Sequence, residues 1–152
     1  MDNNDILRRL RYTFDYDDSK RMGLFELGDY FASRAEVSAW LKKEDHKAFE
    51  EMPDKMLASF LNGLIIEKRG EREGPKPVAE DKLDNNLILK KLKIALALKT
   101  EDISQIFFLS GRKVSVHEVS AFLRNPKQNQ FKTCNDQYLR NFLSGLKDRY
   151  RK

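Results

Sequence analysis

The chain holds a single cysteine, Cys134, so no internal disulfide can form and a reducing environment is expected. With only two histidines, His46 and His117, it has too few ligands for an ordinary structural zinc site. Neither a metal nor a cofactor is therefore expected. No apolar run approaches the ~18 residues that a membrane span needs. The longest stretch, Met56 to Ile66, is broken by Ser59, Asn62 and Gly63. The opening Met1-Asp2-Asn3-Asn4-Asp5 has neither a basic region nor an apolar core. No signal peptide is expected from it, and a cytoplasmic location follows as the expectation. Alternating strand patterns are missing as well: β-branched clusters are short, and Leu, Lys, Glu and Arg dominate.

What the sequence does contain is itself, twice. Residues 3–70 and 85–152 align without a gap at an offset of 82. Asn3-Asn4 recurs as Asn85-Asn86, Val37-Ser38-Ala39-Trp40-Leu41 as Val119-Ser120-Ala121-Phe122-Leu123, and Phe60-Leu61-Asn62-Gly63-Leu64 as Phe142-Leu143-Ser144-Gly145-Leu146. Roughly 20 of the aligned positions are identical, far above chance. A side chain that the fold requires should appear in both copies, whereas one serving asymmetric chemistry need appear once. A copy of about 68 residues is at the lower limit for an independent core, so the two are expected to share an interface.

Between the copies, residues 71–84 read as a linker, because Gly70, Gly74, Pro75 and Pro77 cluster there with charged residues. The organisation is thus a first repeat over 1–70, the linker, and a second repeat over 85–152. Each repeat shows four helical patterns. The first runs from Asn4 to Phe14 and from Asn86 to Leu98, with Ile6, Leu7, Leu10 and Phe14 on one stripe and Ile88, Leu89, Leu92 and Leu96 on its counterpart. The second begins near Asp18 and near Thr100, burying Leu24, Phe25 and Leu27 or Ile106, Phe107 and Leu109. The third starts at the capping boxes Ser33–Glu36 and Ser115–Glu118. The fourth follows Asp54 and Asp136, read as caps, and carries Leu57, Phe60, Leu61 and Leu64, matched by Leu139, Phe142, Leu143 and Leu146. Gly63 and Gly145 sit inside it, where Gly is disfavoured by up to about 1 kcal/mol, which points to a close approach of two helices. The fold expected is all-α, about eight helices in two four-helix repeats related by a pseudo-two-fold.

Asn85-Asn86-Leu87-Ile88-Leu89-Lys90-Lys91-Leu92-Lys93-Ile94-Ala95-Leu96 resembles the second-copy opening of the bacterial YehS family. So do Phe60 to Gly70 and Cys134-Asn135-Asp136-Gln137. The resemblance covers essentially the whole chain. It implies a small cytoplasmic bacterial protein with two tandem copies of a domain of unknown function, and carries over no activity, ligand or catalytic residue. The first copy departs at Asp15-Tyr16-Asp17-Asp18 and Gly23, which are less helical than Ala97-Leu98-Lys99-Thr100 and Gln105.

Charge is where the copies differ. Residues 1–70 hold 12 basic and 14 acidic side chains, residues 83–152 hold 14 and 6, within a chain of net charge +5. Such asymmetry concerns partners rather than fold. Arg8, Arg9 and Arg11 lie off the apolar stripe of the first helix, and Lys90, Lys91 and Lys93 occupy the same places in the second copy. With Arg112 and Lys113 they are the candidate contacts for nucleic-acid phosphates, RNA or DNA. The alternative for these helix faces is plain solvation. Lys99, Arg124, Lys127, Lys132, Arg140, Lys147, Arg149, Arg151 and Lys152 add to the excess. The stretch Glu101 to Asn125 loosely resembles a helix-turn-helix.

No catalytic motif emerges, and the expectation is a non-enzymatic binding protein. Glu36, Glu118, Asp54 and Asp136 are carboxylates of both copies, but helix starts account for them without acid–base chemistry. His46 aligns with Gln128, so no shared histidine exists. Cys134 aligns with Met52 and reads as a buried apolar site rather than a nucleophile. Trp40, aligned with Phe122, reads as core rather than as a stacking platform, and Phe49 and Phe131 as anchors for the loop they occupy. Gly70 and Gly74 lack the context of a phosphate loop. The second reading is a protein–protein adaptor or homodimer, in which the acidic first copy meets the basic second. No membrane and no small-molecule substrate is evident.

Overall fold

The computed structural model describes residues 1–151, so Lys152 lies outside the described residues. Among them are eight helices and no strand: α1 (Asn3–Phe14), α2 (Asp18–Leu27), α3 (Arg34–Leu41) and α4 (Asp54–Arg69), then α5 (Asn85–Ala95), α6 (Thr100–Leu109), α7 (Val116–Phe122) and α8 (Asp136–Tyr150). None is long and apolar enough to cross a membrane.

Within each repeat the fourth helix lies against the second, α4 on α2 and α8 on α6. Glycine sets that distance. A Cβ on Gly63 would overlap the Leu24 carbonyl oxygen, and one on Gly145 would overlap the carbonyl oxygen of Ile106, the residue equivalent to Leu24. Backbone therefore meets backbone in both repeats, as the paired glycines suggest. Phe25, Phe60 and Trp40 fill the first interior, with Phe25 5.1 Å from Phe60 and 5.5 Å from Trp40 between ring centres. Phe107, Phe142 and Phe122 do the same in the second. Trp40 is core. All eight paired Leu and Phe positions of α4 and α8 are buried.

The repeats join through two equivalent seams, α4 on α5 and α8 on α1. The fourth helix of each copy thus packs on the first helix of the other, and a pseudo-two-fold relates the seams. One hydrophobic cluster runs through both copies, so each repeat, near the lower size limit for an independent core, gains burial from the other.

The doubled Asn pair carries the polar framework. Asn4 is fully buried; its Nδ2 donates to the carbonyls of Trp40 (2.9 Å) and Glu50 (2.7 Å), and its Oδ1 accepts from Met52 N–H (2.9 Å). Asn86 repeats this with Phe122, Lys132 and Cys134 at 2.9, 2.8 and 2.9 Å. Each amide ties the first helix to the end of the third and to the loop before the fourth. The neighbouring Asn works with the carboxylates expected to be caps. Asn3 Nδ2 donates to Asp54 Oδ1 (2.7 Å) and Asn85 Nδ2 to Asp136 Oδ1 (2.8 Å).

Neither Asp caps its helix. Pro53 occupies the N-cap of α4 with no side-chain bond, and Asn135 caps α8 by accepting from Tyr138 N–H. The second oxygen of each Asp instead reaches the chain just before the other copy: Asp54 Oδ2 accepts from Leu83 N–H (2.8 Å), and Asp136 Oδ2 from the amino terminus of Met1 (3.0 Å). Met1 and Leu83 are equivalent positions, so the two straps obey the same pseudo-symmetry.

Three further expectations are corrected. α5 stops at Ala95 rather than Leu98, because Ala97 takes a left-handed backbone (φ 53°) that turns Leu98 back into the core; Asp15 makes the same turn after α1. The capping box is complete at Ser33–Glu36, whereas at Ser115–Glu118 only the hydroxyl half forms, since Lys132 draws the Glu118 carboxylate away. Phe49 and Phe131 are half-buried and stay outside the core cluster.

Candidate nucleic-acid interface

The eight basic residues singled out by sequence do not form one surface. Arg8 bridges to the end of α3, its Nη1 donating to the Lys42 carbonyl (2.9 Å), and lies 3.7 Å from Asp5. Arg9 is held by Asp5, with Nε donating to Oδ2 at 3.2 Å. Arg11 turns into a groove between α1, α2 and α3. Lys91 overturns the idea of a doubled basic face: only 7 % of it is exposed. It stands three residues after buried Ile88 and four before buried Ala95, so helical geometry turns it into the α4–α5 seam. There its Nζ donates to Asn62 Oδ1 (2.6 Å) and lies 3.0 Å from Glu80 Oε1. A charge so enclosed is structural.

Lys90 and Lys113 are exposed and Lys93 half-buried, and none of the three has a side-chain bond or ion pair among the described residues. Lys113 belongs to the most distinctive surface of the second repeat, the turn from α6 into α7. Gly111 takes φ +84°, a conformation that suits glycine, and its N–H donates to the Phe108 carbonyl (2.9 Å). At the end of α6, Phe108 is 69 % exposed and Leu109 half exposed, and Arg112 and Lys113 follow after Ser110 and Gly111. Leu109 was expected inside. Its counterpart Leu27 is half-buried and packs against the core cluster, and Lys76, from the segment between the repeats, donates to its carbonyl (3.5 Å). Among the described residues, nothing equivalent covers α6.

Arg112 is anchored, its guanidinium lying over the Tyr138 ring at 4.1 Å. Lys132 Nζ, 5.0 Å from the same ring, donates to Glu118 (2.7 Å) and to the Tyr138 hydroxyl (3.0 Å). The Lys132 ammonium holds the Glu118 carboxyl below its ordinary range, and Glu118 in turn raises Lys132. Lys132 and then Arg112 lower the Tyr138 phenol. In the first repeat the corresponding positions are Tyr30, Glu36, Glu50 and Met56, and the Tyr30 hydroxyl donates to Glu36 at 2.5 Å. One scaffold position is anionic in one copy and cationic in the other. The exposed Phe108 was legible only as a mismatch, since it aligns with Glu26.

The remaining candidates are placed plainly. Burial, with Asp136 and Asp84 nearby, pushes the Cys134 thiol up to about 12, which removes it as a nucleophile. His46 and His117 are both exposed. Among the described residues no three His, Cys, Asp or Glu side chains gather as metal ligands.

Comparison with known proteins agrees with the internal duplication. Residues 3–70 and 85–152 each match the family described as "Protein of unknown function (DUF1456)". The chain is 44 % identical over 147 residues to "Uncharacterized protein YehS" of Escherichia coli (strain K12), covering 96 % of this chain and 94 % of the relative. No solved structure matches. Two matched segments and a relative aligned over nearly its full length leave one assignment: the chain belongs to the DUF1456 family, the YehS-like proteins built from two tandem copies of one helical domain.

Proposed function

We propose that the protein is a non-enzymatic nucleic-acid-binding module that works through its second repeat. The observation that carries this reading is the end of α6 and the turn into α7, where an exposed aromatic, Phe108, is followed within five residues by Arg112 and Lys113 in the half with the cationic excess. An aromatic face beside cations suits an unpaired base and its phosphate. Arg112 stays available for a phosphate because its partner is a ring rather than a carboxylate. Lys90 and Lys93 on α5 add unpaired charge for backbone contacts. Lys91 is removed from the set of contacts, since the α4–α5 seam encloses it, and Arg8 and Arg9 lie apart from this surface, on α1 of the first repeat, beside Asp5.

The test is fluorescence anisotropy with labelled single-stranded RNA and DNA across a salt series. Low-micromolar or weaker affinity is expected, falling as salt rises. Phe108→Ala is expected to weaken binding by about 5- to 100-fold, the range for a lost stacked base, and Lys113→Glu to flatten the salt dependence. Absence of binding to either nucleic acid at low salt rejects the reading.

A further inference from the structure

Arginines converge in the acidic half of the molecule. Arg11 of α1, Arg21 of α2, Arg34 of α3 and Lys42 at the end of α3 line a groove of about 370 Å³, in which Asp18 is the sole carboxylate. Asp18 is shared: Arg21 Nη2 donates to Oδ1, and Arg34 Nη1 donates to Oδ2 at 3.2 Å. Arg21 is nine-tenths buried, and its Nη1 donates to the Tyr16 carbonyl at 2.7 Å. Even so, its Nε and that of Arg11 are enclosed without a hydrogen-bond partner. These two donors have already lost their water and regain nothing for it, an arrangement that normally needs an explanation.

The second repeat shows that the fold does not require them. At the positions of Arg11, Asp18, Arg21, Arg34 and Lys42 it has Lys93, Thr100, Ile103, Val116 and Arg124. The same helices pack there with two cations in place of four and no carboxylate. Arg21, Arg34 and Asp18 are thus features of one copy only, which is the signature of a site rather than of a framework.

We propose that this groove binds a phosphate monoester, with the phosphoryl group held by Arg11, Arg21 and Arg34. Four cations against one carboxylate leave a surplus that a dianion neutralises better than a single carboxylate does. The planar guanidinium fork matches phosphoryl oxygens two at a time. An incoming oxygen that draws the Arg11 and Arg21 side chains toward it gives the idle donors an acceptor. Met22, Val37 and Leu41 form an apolar wall for the organic part of the ester, and the volume falls within the range of small-ligand sites. The ester is either a small metabolite or the terminal phosphate of a nucleic-acid strand, which present the same group.

Isothermal titration of the full chain at low salt separates these sources. The probes are adenosine 5′-monophosphate, a 5′-phosphorylated hexanucleotide, its 5′-hydroxyl form, and sulfate. Saturable binding is expected for the mononucleotide, the phosphorylated strand or both, exceeding that of the unphosphorylated strand and of sulfate by about tenfold or more. Arg34→Val, and the double variant Arg21→Ile with Arg34→Val, import the second repeat's own residues. The single variant is expected to weaken binding about tenfold and the double variant to abolish it, and circular dichroism reports whether each remains folded. Arg34 is largely exposed, so its variant keeps the test decisive if the double variant unfolds. Lys113→Glu is expected to weaken binding of the 5′-hydroxyl strand, which has no terminal phosphate and so reports contact at the second repeat alone. Failure of both phosphorylated probes to saturate, equal binding of sulfate, or unchanged binding by folded Arg34→Val overturns the proposal.

Discussion

At the α4–α5 seam Lys91 is buried against Asn62, and the segment between the repeats lays Glu80 over it. At the α1–α8 seam the equivalent residues are Arg9 and Ser144, and the surface there stays open as a cavity of about 200 Å³ lined also by Arg8, Tyr12 and Lys147. The helices are equivalent and the covering is not. The connecting segment runs from the end of α4 to the start of α5 and so passes over one seam alone. Contacts that address backbone recur in both halves: the glycines against carbonyls, the Asn amides and the Asp straps. Among contacts between charged side chains of the described residues, only Lys20–Glu67 has a counterpart, Asp102–Arg149, and there both signs are reversed. Backbone geometry is fixed by the shared fold, whereas a surface charge can change sign at little energetic cost and so is free to diverge between copies.

The largest effect that probes this comparison comes from the glycines. Gly63→Ala and Gly145→Ala are each expected to destabilise the protein by about 3 kcal/mol, because a Cβ meets a carbonyl that cannot move without its helix. Urea unfolding followed by circular dichroism checks this. A marked difference between the two variants breaks the equivalence of the repeats.

The covered seam supplies the next test. Glu80→Ala removes the carboxylate beside buried Lys91, whereas no residue of the connecting segment covers Arg9. The Glu80 side chain is 36 % exposed, so solvent moderates the loss to about 1 kcal/mol. Lys91→Met combined with Glu80→Gln and Asn62→Leu is expected to restore stability, since the stem of Lys91 already lies in an apolar setting and no buried amide is left without its donor.

The smallest effect concerns the straps. The hydrogen bond from Asn85, followed by the Met1 ammonium, holds the Asp136 carboxyl below its ordinary range. A depressed carboxyl stabilises the fold above its unfolded-state value, and that stability is lost as pH falls through the folded value. Asp136→Asn is therefore expected to flatten the acid limb of thermal stability. Blocking the amino terminus by acetylation is expected to act in the same direction, because it removes a charge that Leu83 N–H, the partner of Asp54, does not carry.

Much of the architecture was legible in the sequence because each signal was printed twice. The leucine stripes, the Ser33 and Ser115 starts and the paired glycines sit where the periodicity puts them. The Asn doublets were visible as repeats, but their role was not, since their partners are carbonyls 36 and 46 residues away. Asp54 and Asp136 misled for a related reason. An acidic residue at a helix start has the local appearance of a cap, and the groups that claim it lie 29 to 135 residues away along the chain. Of the candidate interface, sequence supplied Arg112 and Lys113 but neither Phe108, whose neighbour Leu109 was expected inside, nor the loss of Lys91 to a seam.

The chain's sequence by itself determined two helical repeats, their helix starts, their apolar faces and the sign of charge on each half, because these depend on neighbours within a few residues. Tertiary structure alone decided which cations are free, which carboxylates reach the chain just before the other copy, and that Arg11, Arg21 and Arg34 meet in one groove. Those outcomes depend on which helix face turns toward which partner, and side chains distant along the chain compete for that in three dimensions.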